Sequence, residues 1–298
     1  VKTRIIQNQP DDDGNLPPAR AAEPPGNHLS ARRSVMSFVR NHPVISFFVL
    51  AYALTWATLP FGSFFAPGAL LAALVIAFVN DGLAGLRAIG ARLIRWRVRW
   101  VWYVVAIAVP LAVHFVTIGI NQAMGAPSPS SGQFAPWYGL ALVIGMNMVD
   151  PMGGPFSEEP SFRGFAQSKL QTTRTPLAAT ALMAVAIAGW HLPLFLISSY
   201  GLQPYEAVTT VAVTFWYGWL FNHAAGSVLI TLIAHATEGS INTSDLWPAG
   251  PDLSRETWLY VVVWSAVAIT LLIGSRRFWT RPAPSAATSS TPTSERVS

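Results

Sequence analysis

The chain has 298 residues, of which 52% are hydrophobic and 11% charged, with a net charge of +5 and no cysteine. Without thiols, disulfides, thiolate catalysis, Cys-ligated metal and cysteine lipidation are excluded for this sequence. The apolar content, with 12 Trp and 16 Phe, exceeds what one or two water-soluble cores need.

Residues 1–42 are rich in Pro, Gly and Asp. Such a segment cannot bury enough apolar surface to order itself, so it is expected to be a disordered cytoplasmic N-terminal stretch. The first apolar run begins near residue 43 and lacks a small-residue cleavage pattern, which points to a retained helix and not a removable signal peptide. From there, nearly uncharged windows recur at about 43–60, 64–80, 100–120, 136–153, 176–197, 206–222, 226–242 and 257–274. Most approach the ~17–25 residues a helix needs to cross the hydrocarbon. The expected fold is therefore an all-α, polytopic membrane helix bundle of about eight transmembrane helices spanning 43–280. The Ser/Thr/Pro-rich tail, 281–298, is expected to be disordered.

Basic residues orient this bundle. With both termini in the cytoplasm, every Lys and Arg except Arg255 falls in a cytoplasmic segment, as the positive-inside rule requires. These charges lie beside membrane runs, where anionic lipid attracts them, so membrane lipids and not nucleic acid are the expected partners. The segment 82–100 places Leu86, Ile89, Leu93 and Trp100 near one helical face and Arg87, Arg95 and Arg99 on another. That pattern fits a helix lying on the cytoplasmic leaflet, or equally an ordinary basic loop.

Against this background, PFSEEPSFRGF (155–165) stands out, because a charge near the bilayer centre costs roughly 2.5–3.5 kcal/mol on insertion scales. On a continuous helix Arg163 sits one turn after Glu159, whereas Glu158 points about 140° away from Arg163. Arg163 is thus expected to hold Glu159 as an ion pair, leaving Glu158 toward the bundle interior. Pro160 leaves a second local reading open, in which a new helix starts after GGP. Two further polar residues interrupt apolar runs: His191 in GWHLPLF and His235 in LIAHATEGSIN. A carboxylate in a dry site beside an imidazole is suited to take a proton from water. His114, His223 and Asn147 read as structural, and Trp190, Trp216, Trp219 and Trp264 as packing residues.

Over roughly 80–245, the combination of EEPSFRGF (an EExxxR pattern), WHLPLF and the later intramembrane His235 resembles the CPBP family of intramembrane glutamic proteases, which includes CAAX prenyl proteases and bacteriocin-linked relatives. The resemblance implies a metal-independent endopeptidase of the cell membrane, acting without a cofactor on a peptide or lipidated, CAAX-like protein substrate. By the same match Glu158 is the base, Glu159 and Arg163 are its supporting pair, His191 assists the water and His235 stabilises the oxyanion. The sequence departs from the family pattern twice. Ile187 stands where Phe usually precedes the second-motif histidine by four, and Gly239 stands where Asn or Asp commonly follows the third-motif histidine by four. Asn242, about two turns after His235, is the candidate to replace that missing donor if the helix bends near Gly239. A zinc site built from the two histidines and a glutamate is the chemical rival, but no HExxH helix is present. From a different class, the alternative is a noncatalytic membrane scaffold or bacteriocin-immunity-type binding protein.

Overall fold

The computed structural model describes residues 27–136 and 138–282, and among them every regular element is helical. In chain order these are α1 (Asn27–Asn41), α2 (Pro43–Trp56), α3 (Pro67–Asp81), α4 (Leu83–Leu93), α5 (Val101–Ala123), α6 (Gly139–Val149) and α7 (Gly154–Glu159). A π-helical stretch, Pro160–Gln167, runs on into α8 (Ser168–Leu170). Then follow α9 (Pro176–Trp190), α10 (Leu192–Leu196), α11 (Ala207–His223), α12 (Val228–Glu238), α13 (Pro251–Gly274) and α14 (Arg276–Trp279).

Each apolar window in the sequence holds helix. Three segments are long and apolar enough to cross a membrane: Pro43–Phe61, Val101–Ala123 and Pro251–Gly274. Others are shorter than their windows for local reasons. The 176–197 run breaks at His191, because Pro193 has no N–H to continue the ladder and opens α10 at its second position. The seventh run is cut to eleven residues, α12, with Gly239 at its C-cap.

The outer face is apolar. Val49, Phe78, Val104, Phe115, Met146, Val185, Val262 and Ile269 are all exposed, a surface suited to lipid and not to water. Inside, two clusters form. One joins Phe47, Phe162, Phe165, Met183, Ile187 and Trp190 to an alanine-lined seam between α2 and α3. The other joins Trp216, Tyr217, Leu220, Ile230 and Trp264 from α11, α12 and α13, with Val113 of α5. Small residues let backbones approach, as between membrane helices generally. A Cβ on Gly218 of α11 would lie 2.8 Å from Thr180 Oγ1 of α9, so only glycine permits that contact.

Two expectations are corrected. Residues 27–41, read as part of a disordered segment, form α1, and Val39 packs on the first cluster; residues 1–26 and 283–298 lie outside the described residues. The amphipathic segment is helical only over Leu83–Leu93. Ile89 is buried as expected, but the helix ends before Trp100, which is 75% exposed and off that face. The following irregular stretch is tied down by Arg95, whose Nη1 donates to the Ala225 carbonyl and whose own carbonyl accepts from Ser227 Oγ.

Candidate active site

The segment carrying both glutamates is one helix, Gly154 to Leu170, that changes register at its proline. Pro160 cannot donate to the ladder, and from there the structure widens to a π-helix, a form frequent at functional sites. Serines close the loosened turns: Ser161 Oγ donates to the Ser157 and Glu158 carbonyls, and Ser168 Oγ to the Arg163 carbonyl. A new helix does start at GGP, with Gly153 as its N-cap, but Glu158 lies within it and it continues past Arg163. Because it extends to Leu170, Glu158 lies twelve residues from its far end, roughly 18 Å at α-helical rise, against roughly 22 Å for His191 from Pro176. This similarity of depth lets the two side chains meet without a later start for α9.

The adjacent glutamates have different surroundings. Glu159 is 0% exposed; its Oε1 lies 3.3 Å from Arg163 Nη1 and 3.0 Å from His235 Nδ1. The Arg163 guanidinium also lies 4.9 Å over the Tyr217 ring, which stacks on His235 at 5.2 Å. Glu158 is 7% exposed and faces His191, with its Oε1 3.9 Å from Nε2. Its carboxylate folds over Gly154, where a Cβ would lie 2.8 Å from Oε1, so glycine leaves the room that this carboxylate needs.

Hydrogen bonds orient the imidazoles. His191 Nδ1–H donates to the Ile187 carbonyl at 3.0 Å, which turns Nε2 toward Glu158. The partner is backbone, so the Phe-to-Ile departure at 187 removes no hydrogen bond from this histidine. His191 is further held between Phe64, stacked at 5.9 Å, and Trp190, edge-on at 4.7 Å. Trp190 is itself fixed by Nε1–H donation to Thr55 Oγ1. His235 turns Nδ1 to Glu159, which leaves Nε2 for a ligand.

Glu158, Arg163, His191, Tyr217, His235 and Glu238 converge on one cavity of about 150 Å³, with Thr209, Thr210 and Thr214 of α11 along its wall. Four of the six site residues read from the sequence line this cavity, and a fifth, Glu159, joins them through Arg163 and His235. Asn242 does not. Because α12 ends at Glu238 and the chain turns at Gly239, the two-turn spacing to His235 is lost. Asn242 is exposed and caps its own turn, accepting from Ser244 and donating to Asp245 Oδ2. Asn147 is structural as expected, donating to the Ala236 and Gly239 carbonyls at the end of α12. Tyr217 and Glu238 were missed. Tyr217 is hidden in an aromatic run, whereas Glu238 could have been found as a carboxylate in an otherwise uncharged stretch. Among the described residues, no three His, Asp or Glu side chains form a metal-holding group.

The residues that meet at this cavity from α7, the π-helical stretch, α9, α11 and α12 lie within a segment with a recognised family signature. Residues 140–240 match the Rce1-like family model, described as type II CAAX prenyl endopeptidase Rce1-like. The resemblance read from the motifs is borne out over this narrower stretch, which holds five of the six site residues read from the sequence and ends before Asn242. No curated protein matches the chain. The Rce1-like family is one of membrane proteases, which supports a hydrolase acting on protein or lipidated-peptide substrates. The Rce1-like segment and the three long apolar helices together support an integral membrane protein.

Proposed function

We propose that the protein is an intramembrane endopeptidase of the CAAX-protease type, in which Glu158 activates water for attack on a peptide bond. The observation that carries this reading is the pairing of Glu158 with His191 Nε2 at 3.9 Å across the cavity, beside a separately held Glu159. Water bound between Glu158 and His191 gives a proton to Glu158, and its oxygen bonds to the scissile carbonyl carbon. The developing oxyanion accepts from Nε2–H of a doubly protonated His235, whose Nδ1–H donates to Glu159. Glu158 then passes the proton to the leaving amide nitrogen as the C–N bond breaks, giving a carboxylic acid and an amine. Glu159 and Arg163 act by positioning. The surrounding helices exclude bulk water and strengthen each of these interactions.

In this reading the eight apolar segments form a bundle with both termini in the cytoplasm, and residues 43–280 are the membrane unit. The substrate is a peptide or a CAAX-like lipidated protein, and no cofactor takes part. The test is cleavage of a mixed library of lipidated and unlipidated peptides by the purified protein in lipid, read by mass spectrometry beside Glu158→Gln. Products lost in the variant are expected, and products retained at full rate refute the assignment. One observation favours a second reading, a noncatalytic membrane scaffold or immunity-type binding protein: Gly239 has no side chain to donate, and Asn242 points elsewhere. A scaffold predicts no products from either protein.

A further inference from the structure

Beyond the Glu158 cavity, at the C-terminal end of α12, lies a larger one of about 510 Å³, and Glu238 lines both. We propose that this second cavity is a subsite for a basic side chain of the substrate, with Glu238 as the group that reads its charge; the proposal rests on the protease reading above.

The charged lining of the site is acidic. Glu238 and Glu206 both line it, and no Lys or Arg does. None of the ion pairs among the described residues involves Glu238. Glu238 is also the last residue of α12, where the unpaired helix carbonyls already carry negative partial charge and a carboxylate is unfavourably placed. Yet it is held in a fixed position. Tyr260 Oη–H donates to Glu238 Oε1 at 2.6 Å, and His114 Nε2–H donates to the Glu238 carbonyl at 2.9 Å. Glu206 is tied back by the Gln203 N–H, which it accepts at 2.7 Å.

A second observation does not depend on charge. His114 is 1% exposed, forms part of the cavity wall, and its Nδ1 has no hydrogen-bond partner. With Nε2 donating to Glu238, Nδ1 is a lone-pair acceptor, and buried polar groups are ordinarily paired. An orphan acceptor beside two carboxylates that form no ion pair among the described residues calls for a ligand rich in N–H donors and positive charge. A lysine ammonium or arginine guanidinium has both properties. Because Glu238 belongs to both cavities, such a side chain would lie near the scissile bond, so the subsite would select sequence and not simply hold the chain.

The test uses the full chain in lipid nanodiscs and a library of short labelled peptides carrying Lys, norleucine or Glu at each position in turn. Binding is measured on Glu158→Gln protein by fluorescence anisotropy, and cleavage on the wild type by mass spectrometry. At one position Lys should bind about tenfold tighter than norleucine. Adding Glu238→Gln, which keeps an acceptor for Tyr260, should abolish the difference, and Glu238→Lys should turn the preference toward Glu. Equal binding of Lys and norleucine peptides at every position overturns the proposal, as does discrimination that survives both Glu238 variants. Cleavage reports separately: discrimination without cleavage by the wild type removes the protease reading and leaves a cation site, whereas cleavage lost in Glu158→Gln without discrimination keeps the protease and removes the subsite.

Discussion

Glu158 and Glu159 are neighbours in sequence, but the fold gives them opposite surroundings. Glu159 is sealed, with two cationic or proton-donating partners at 3.0–3.3 Å, while Glu158 borders a cavity and has one imidazole at 3.9 Å. The difference shows how one helix can supply both a buried, paired carboxylate and one that borders a cavity. Residues one apart diverge by about 100° on a helix, so one carboxylate turns into the packed core while the next faces a space a ligand can enter.

Breaking the sealed half should have the largest effect. Glu159→Ala leaves Arg163 buried without its carboxylate and His235 without its anchor, and is expected to cost about 3–5 kcal/mol and all activity, measured by thermal unfolding in detergent and by peptide cleavage. Glu158→Gln should separate the two halves. Cleavage is expected to fall by at least ~10³-fold, about 4 kcal/mol in the barrier, with an unfolding temperature equal to or above wild type. If both variants lose stability alike, the contrast between the two carboxylates fails and the cluster is structural.

A smaller effect is expected from His191→Gln, which keeps bulk but removes the Nε2 acceptor: a loss of about 10² in kcat with little change in KM. Gly239→Asn sharpens the comparison from the other side. An added Cβ there meets the His235 carbonyl at 3.7 Å and Asn147 Nδ2 at 3.9 Å, both ordinary contacts, so the variant should fold and raise kcat by about tenfold if a missing oxyanion donor limits the rate. The smallest effect belongs to Ile187→Val. His191 is held by the carbonyl of residue 187 and not its side chain, so stability should fall by about 1 kcal/mol and cleavage by less than threefold. A hundredfold loss of cleavage would show that the side chain, not the backbone, sets the histidine.

Much of this was legible in the sequence because membrane proteins write their constraints plainly. Long uncharged runs fix where helices lie, and a charge inside such a run is costly enough to mark a site. The i, i+4 spacing of Glu159 and Arg163 likewise specifies their contact, which survives even the π-helical register between them. The separation of Glu158 from that pair follows from the same periodicity.

What only the tertiary structure decided are relations between helices and the places where helices stop. The run around His235 looks continuous to residue 242, but α12 closes at Gly239, which turns Asn242 into a surface cap and leaves Glu238 between two cavities. Tyr217 joins the site because α11 packs against α9 through Gly218, a contact between residues far apart in the chain. Periodicity fixes which way a side chain points from its own helix. Which residue waits opposite it depends on how whole helices pack, and no local pattern in the sequence encodes that.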